Sequence, residues 1–565
     1  MAASMALGEL WHASNYFLAQ IEPAILALAA LAVGVIAPWV LSAISCAYSA
    51  VEEKGIQRVL LNLFFHACRK IPGVSGYILR EQNKVIDKLN SSTKSKRSRW
   101  ISELPKSGLG NGVLDWLNSE RQKDMKWEGK CSGTVYIGGT DAEQHFSLLN
   151  EAYALFAHTN PLHADVFPSI AKFEAEVVAM TASILGSKEL DGQVCGNMTS
   201  GGTESILMAV KSTRDYMRAT KGITKPEMII PVSAHSAYNK AAQYFQIKLK
   251  IAPVTGNLQA DVSSIKRLIN KNTIMIVGSA PGFPHGVVDP IEELGALAIN
   301  KRVCFHVDLC LGGFVLPFAR KLGYSIPPFD FSVPGVTSIS IDVHKYGLAP
   351  KGTSVVLYRN HEIRRVCSLS GSKDLVSSHF HFPFPFHWSQ HQFVAVTDWS
   401  GGLYISPSMA GSRPGALIAG AWAALASLGE EGYLKITKSL MEASKKLRDG
   451  IQEIPGLYVL GDPAMTVIAF GSNDCDIFRV NDAMSSKGWS LNALQKPSSV
   501  HFCVTLQHVD AIDKLLEDLR CAVKEVKENQ SDMEEGMAPI YGAAGKMPDR
   551  GIIEDILIAY MDNTC

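Results

Sequence analysis

Through the middle of the chain, apolar runs of strand length alternate with longer stretches of helical period. "MIIPVS" (228–233), "TIMIVGSA" (273–280), "RVCFHVD" (302–308) and "TSISIDV" (337–343) are the short runs. Between them lie "TESILMAVKSTRDYMRAT" (203–220) and "IEELGALAINKR" (291–302), whose apolar positions recur every three to four residues. Strand and helix alternating in this way predict βαβ units, a mostly parallel sheet and helices on both faces. The expected large domain runs from 145 to 420. After a long Ala- and Leu-rich helical stretch, "LYVLGD" (457–462), "TVIAFGS" (466–472) and "VHFCVTL" (500–506) predict a smaller C-terminal α/β domain over 421–530. Residues 531–565 form a tail that closes on an amphipathic "IIEDILIAYM" (552–561).

The amino-terminal part has a different pattern. From Pro23 to Val51 there is no acidic or basic side chain. A helix of about 20 apolar residues spans a bilayer, so residues 24–47 are expected to form one transmembrane anchor within a segment 1–51. Pro38 is tolerable there, because a membrane helix can re-satisfy the freed backbone groups. Lys54, Arg58, Arg69 and Lys70 follow the run, whereas only Glu9 and Glu22 precede it. That asymmetry puts the body on the cytosolic side. Residues 52–144 read as a membrane-proximal helical segment and an exposed linker.

Composition narrows the class further. The 54 basic and 54 acidic residues leave no net field to draw nucleic acid. The 11 cysteines contain no C-x-x-C pair, which argues against a zinc module or a disulfide framework.

Candidate chemistry gathers at strand ends, where open α/β sheets present their ligand crevice. "TSGGTES" (199–205) sets two glycines before a helix, offering N–H groups and a positive helix end to a phosphate. "PVSAHSAYNKAA" (231–242) places His235 at another strand end, and "FHVDLCLGGF" (305–314) ends a strand on Asp308. "SISIDVHKYGLAPKG" (338–352) runs a strand into His344 and Lys345, 37 residues after Asp308. Each has an ordinary structural explanation: a helix start, a buried imidazole, a helix cap, a surface lysine. Together they supply what pyridoxal phosphate requires: a lysine for the Schiff base, a carboxylate for the ring nitrogen, a phosphate cradle and a face against the ring.

With these motifs the chain resembles the fold-type I pyridoxal-phosphate enzymes, and among them the sphingosine-1-phosphate lyase family. The resemblance extends from the anchor to the tail and is carried by "TNPLHADVFPS" (159–169), "TSGGTESILMA" (199–209), "HVDLCLGGF" (306–314), "HKYGLAPKGTSVVLYR" (344–359) and "DWSGGLYISPSMAGSRPG" (398–415). It implies cleavage of a phosphorylated sphingoid base at C2–C3, giving phosphoethanolamine and a long-chain fatty aldehyde. It implies Lys345 as the cofactor-bearing lysine, Asp308 at the ring nitrogen and His235 stacked on the ring. Gly202, Thr203 and His344 would hold the cofactor phosphate. Ser412 would reach the neighbouring subunit's cofactor, so a homodimer is implied. Tyr136, Asn160, His163 and Lys351 would meet the substrate, with Lys351 or a cofactor phosphate oxygen as general base. No metal is implied, and the endoplasmic reticulum membrane is the implied location, with a single pass and a cytosolic body. The alternative enzyme is an anchored pyridoxal-phosphate amino-acid decarboxylase; a scaffold built on an inactive enzyme fold would carry no Schiff base at Lys345.

One stretch departs from the family. Between "HEIRR" and "HQFVAVTDWSGG" stand twenty-five residues, "VCSLSGSKDLVSSHFHFPFPFHWSQ" (366–390), with neither strand nor helix period. An aromatic recognition loop is one reading. The preferred one is a retained intron: Val codons begin with GT, Gln can be CAG, and Phe, Pro, Ser and His codons are pyrimidine-rich. A dominant transcript that keeps all these codons would overturn it.

Overall fold

The computed structural model describes residues 103–110, 112–190, 192–364 and 392–528, with positions 64, 67, 71, 73, 76, 80, 101, 554, 557, 558 and 561. The anchor expected at 24–47 and the 366–390 stretch lie outside the described residues. Among the described residues no helix is long and apolar enough to cross a membrane. The chain divides into two compact units, residues 1–104 with 548–565, and residues 105–547. In the first, positions 64, 67, 73, 76, 80, 554, 557, 558 and 561 are helical. Everything below concerns the second.

Helices α1 (Gly112–Arg121), α2 (Ala142–Phe156) and α3 (Pro168–Ser183) lead into β1 (Cys195–Thr199). Alternation follows as expected: α4 (Gly202–Lys221), β2 (Glu227–Pro231), α5 (Ala237–Tyr244), β3 (Lys248–Ala252), α6 (Val262–Leu268), β4 (Thr273–Ser279), α7 (Ile291–Lys301), β5 (Cys304–Asp308), α8 (Leu316–Lys321), β6 (Ser338–Asp342) and β7 (Ser354–Tyr358). These strands form one sheet in the order β1-β7-β6-β5-β4-β2-β3. The run β3, β2, β4, β5, β6 is parallel throughout, and β7 is antiparallel to both neighbours. Two strands carried little sequence signal. β1, "CGNMT", is fully buried yet half polar or glycine, and β3, "KLKIA", is an edge strand whose Lys250 pairs with Glu227 at 2.7 Å.

The sheet is apolar on both faces because helices cover both. Phe305, Ile339, Ile341, Val355 and Leu357 are fully buried. Each such side chain contributes on the order of 1.5–3 kcal/mol relative to exposure.

Beyond α9 (His361–Arg364) a short ribbon of β8 (Val394–Val396) and β9 (Tyr404–Ser406) precedes α10 (Gly415–Gln452). Helix α10 breaks at Gly429, whose φ of 56° a residue without Cβ adopts easily. The expected 420 boundary falls inside α10. A four-stranded antiparallel sheet follows, built from β10 (Leu457–Val459), β11 (Val467–Ser472), β12 (Asn492–Leu494) and β13 (Ser499–Cys503), with α11 (Ile477–Ser486) and α12 (Ile512–Glu528). Tyr346 ties the two sheets together. Its buried hydroxyl donates to the Val504 carbonyl at 2.7 Å and accepts from Thr466 Oγ1 at 2.5 Å.

Two core histidines are held neutral. His306 on β5 sits between Ser338 Oγ at 2.8 Å and Ser340 Oγ at 3.1 Å, and burial pushes its pKa down to about 4. His501 on β13, against the Pro284 carbonyl at 2.9 Å, is pushed by burial to about 4 as well. The unfolded chain takes up these protons at its ordinary pKa of 6.5, so the stability they confer is present above that pH. It is lost as pH falls toward 4, at about 1.4 kcal/mol per pH unit for each histidine. The urea midpoint of the full chain is therefore expected to drop between pH 7 and pH 5; an unchanged midpoint would contradict this placement.

Candidate active site

Register brings the strand ends into one line. Thr199 at the end of β1 pairs with Ser354, and Ser354 pairs with Asp342 at the end of β6. Asp308 at the end of β5 pairs with Ser340 on one side and Ser279 on the other. Against this line lies a cavity of about 380 Å³, lined by Gly202, Thr203, His235, Asp308, Asp342, His344 and Lys345, with Ser200, Glu204 and Cys310. It contains every cofactor residue expected from the sequence except Ser412.

The N-terminus of α4 forms one wall. Its first-turn N–H groups have no partner inside the helix and face the cavity with the positive end of the dipole. Glu204 shapes the approach, accepting from Ser200 N at 2.7 Å and Ser200 Oγ at 2.6 Å through one oxygen, and from Met409 N at 2.9 Å through the other. Gly202 is required by close approach. A Cβ there would lie 2.8 Å from Asp342 Oδ1 and 2.9 Å from Cys310 Sγ.

The opposite wall is the turn from β6 to β7. Lys345 Nζ lies 2.9 Å from Asp342 Oδ2. Burial would lower the lysine's pKa, but the Asp342 carboxylate overrides it and holds Lys345 above its ordinary value. Burial likewise works against the Asp342 anion, and the Lys345 and His344 charges keep its pKa below the ordinary value nonetheless. His344 donates from Nδ1 to the Thr353 carbonyl at 2.6 Å, and burial lowers its pKa. Lys351 Nζ sits 4.9 Å from the centre of the Tyr136 ring; desolvation and the neighbouring Lys345 cation lower its pKa. Tyr136 is buried, edge-on to Tyr346 at 4.9 Å, and burial raises its phenol pKa.

Asp308 is buried at the end of β5, and its Oδ1 accepts from Cys310 N at 3.0 Å. His235 accepts from Ala237 N through Nδ1 at 3.1 Å and leaves its ring exposed at the cavity. Lysine, carboxylate, open imidazole face and helix terminus thus share one pocket, with no side chain at Gly202 to fill the cradle. These residues fit pyridoxal phosphate.

Asn160, His163 and Ser412 are brought together elsewhere, and none lines this cavity. Asn160 Oδ1 accepts from Arg413 N at 3.1 Å and from Leu162 N at 3.0 Å. Gly415 N donates to the Thr159 carbonyl at 3.0 Å, and Arg413 forks onto the buried Glu174. His163 and Ser412 are exposed on this patch.

Three lining residues escaped the sequence reading. Asp342 stands at one more polar position of an alternating strand, Glu204 in the first turn of a helix and Cys310 inside "DLCLGG", and the sequence analysis singles out none of them. For Asp342 a signal existed: an acid three residues before a strand-end lysine, at the last position of its strand.

Fold and site define a pyridoxal-phosphate-dependent enzyme with a decarboxylase-like α/β architecture. The pyridoxal-dependent decarboxylase conserved domain matches residues 139–380. A sphingosine-1-phosphate lyase of Arabidopsis thaliana is 59% identical over 551 residues, covering 97% of this chain and 96% of that protein. Among solved structures, a sphingosine-1-phosphate lyase of Burkholderia pseudomallei is 41% identical with a TM-score of 0.70, over 76% of this chain and 94% of that one. A glutamate decarboxylase of Lactobacillus brevis aligns with a TM-score of 0.63 at 18% identity, over 78% of this chain and 98% of its own, a likeness of fold alone. The chain belongs to the sphingosine-1-phosphate lyase family.

Because a Cβ on Gly202 would press on the Asp342 carboxylate and the Cys310 thiol, Gly202→Ala is expected to weaken pyridoxal phosphate binding by about tenfold. Equilibrium dialysis of the variant against the parent measures it, and equal affinities would show that the approach is not tight.

Proposed function

We propose that this protein cleaves phosphorylated sphingoid bases between C2 and C3, releasing phosphoethanolamine and a long-chain fatty aldehyde. The observation that carries the reading is the single cavity holding Lys345, Asp308, His235 and the α4 N-terminus, in a chain of this family. Pyridoxal phosphate, when bound, supplies an electron sink for the pair left on C2.

The chain's own residues have separable tasks. Gly202, Thr203 and His344 would hold the cofactor phosphate, Asp308 would stand at the ring nitrogen and His235 at the ring face. Lys345 would carry the cofactor. Lys351 would take the proton of the substrate's C3 hydroxyl as the C2–C3 bond breaks and C3 leaves as the aldehyde carbon, with a cofactor phosphate oxygen as the alternative acceptor; C2 would take a proton in place of C3. The lowered pKa of Lys351 favours it as the group that moves this proton. Tyr136 supports the Lys351 ammonium through its ring face.

Asn160, His163 and Ser412 belong, in this reading, to the second site of a homodimer. Met409 N donates to Glu204 at the start of α4 and Arg413 N to Asn160, which links this patch to the α4 loop. Exposed Leu155, Trp399, Leu403 and Ile405 give the neighbouring surfaces of α2 and the β8–β9 ribbon an apolar character suited to a second copy. The anchor at 24–47 would hold the enzyme at the endoplasmic reticulum membrane, into which a long-chain substrate partitions. The decarboxylase alternative has the conserved-domain match over residues 139–380 and a fold-level likeness in its favour, whereas the relative 59% identical over nearly the full length is a lyase.

The test is incubation of the full chain with pyridoxal phosphate and a phosphorylated sphingoid base, with phosphoethanolamine and fatty aldehyde read by mass spectrometry. Parent chain should give both products, Lys345→Ala neither, and Lys351→Ala roughly 10²–10⁴-fold less if Lys351 moves the proton. Removing Val366–Gln390 should preserve or restore product. Carbon dioxide release from an amino acid, without aldehyde from either form, would overturn the reading.

A further inference from the structure

Asp342 has no part in the assignments above, yet it is the most deeply set charge in the cavity. It is only 3% exposed. One oxygen, Oδ2, is committed to Lys345 Nζ at 2.9 Å, with His344 Nε2 next at 3.9 Å. The other, Oδ1, is buried without a hydrogen-bond partner and points toward Gly202. A buried acceptor left unmade is costly, and a buried anion beside a phosphate cradle costs more unless a cation stays with it. Something must offset that burial, and the cation within reach is the lysine.

We propose that Asp342 is a positioning residue that docks Lys345 as an ammonium whenever the lysine is not covalently engaged, and so gates its attachment to an aldehyde. The proposal rests on Lys345 being the cofactor-bearing lysine. Attachment begins when the docked ammonium loses a proton to solvent. The free amine then adds to the aldehyde carbon, and water departs as the carbon–nitrogen double bond forms. The first step is uphill in proportion to the strength of the Asp342 contact. When substrate amine later displaces the lysine, the freed amine takes back a proton and returns to the carboxylate. It is thereby kept close and oriented but not nucleophilic.

The other charges facing Lys345 set the scale. Asp308 comes from the end of β5 and favours the ammonium, while Cys310 beside it is a buried thiol whose pKa burial raises, so it stays neutral. His344 and Lys351, from the same turn as Lys345, oppose it when protonated. Cys503, at the end of β13, is buried and neutral as a thiol. Asp308 is spoken for by the ring nitrogen in the loaded enzyme, which leaves Asp342 as the counter-ion dedicated to the lysine. The elevated pKa of Lys345 in the pocket and the lowered pKa of Lys351 on the turn beside it agree with this division.

The experiment uses the full-length chain freed of cofactor with hydroxylamine. Pyridoxal phosphate is added back at a series of pH values, and the rate of covalent attachment is followed by absorbance. In the parent chain the rate should still be rising at the alkaline end of the range. Asp342→Asn should move the half-point down by at least about one pH unit and speed attachment about tenfold near pH 7.5. Asp342→Glu should restore the slower, alkaline profile. Identical profiles for parent and Asp342→Asn would overturn the proposal. Should Asp342→Asn not fold, the parent alone decides by reductive methylation with formaldehyde, read residue by residue in a mass spectrometer. Lys345 should become reactive only at higher pH than Lys351, and the reverse order would overturn the proposal. This labelling does not depend on cofactor chemistry. Absence of any adduct at Lys345 with pyridoxal phosphate would instead count against the proposed function.

Discussion

The pairing register of the central sheet is the constraint on which the site depends. Thr199, Ser354 and Asp342 lie opposite one another across β1, β7 and β6, while Ser340 and Ser279 flank Asp308. A slip of one residue in any of these strands would turn its side chains to the other face and bury the catalytic end of the strand in the helix layer. The register is secured by the apolar positions between. Ile339 and Ile341 on β6 and Val355 and Leu357 on β7 are fully buried in the same core as Phe305, so slippage would set Ser338, Ser340 and Ser354 into that core in their place. The chemistry at the rim is therefore held by hydrophobic burial two or three residues away. Small hydroxyl groups finish the seam. Ser205 on α4 reaches Thr199 at 2.6 Å and Ser354 at 2.8 Å, which fixes the start of the helix to the strand ends and with it the direction of its N–H groups.

That arrangement accounts for what could be read from residues alone. Lys345, Asp308 and Gly202 were legible because each closes, follows or, for Gly202, opens a segment whose period is strong, and strand ends in a parallel sheet converge on one edge. The same reasoning gave the parallel run and placed most of its strands. It did not reveal β1, where glycine, asparagine and threonine mask a buried strand, nor that β7 returns antiparallel between β1 and β6. Those are consequences of which strands meet, and no local period carries them. Asp342 was missed for a related reason. Alternation makes it a polar residue of a strand, and only the sharp turn after Val343 brings Lys345 back over it. Glu204 and Met409 lie 205 positions apart and meet only through the fold.

The small sheet is more than a lid of convenience. Tyr346, adjacent in sequence to Lys345, sends its hydroxyl to Thr466 and Val504, and Tyr136 packs on Tyr346 while facing Lys351. The backbone beside Lys345 and the side chain of Lys351 are thus tied, through Tyr346 and Tyr136, to the C-terminal sheet. A phenol is suited to that task, since its body packs as a hydrocarbon and its tip accepts and donates.

Charge in the pocket follows from the same geometry. Two buried carboxylates, Asp308 and Asp342, stand near a half-buried Lys345, with the exposed Lys351 on the turn that follows. Equal treatment of the two lysines would leave both protonated and neither able to move a proton near neutrality. The structure divides them. Lys345 touches a carboxylate and is held as a cation; for Lys351, desolvation and the repulsion of Lys345 outweigh the more distant attraction of Asp342, so its proton is the more easily released. Environment rather than residue type sets the two lysines apart. In the proposed reaction, engagement of Lys345 with the cofactor would remove its ammonium, and its repulsion of Lys351 with it.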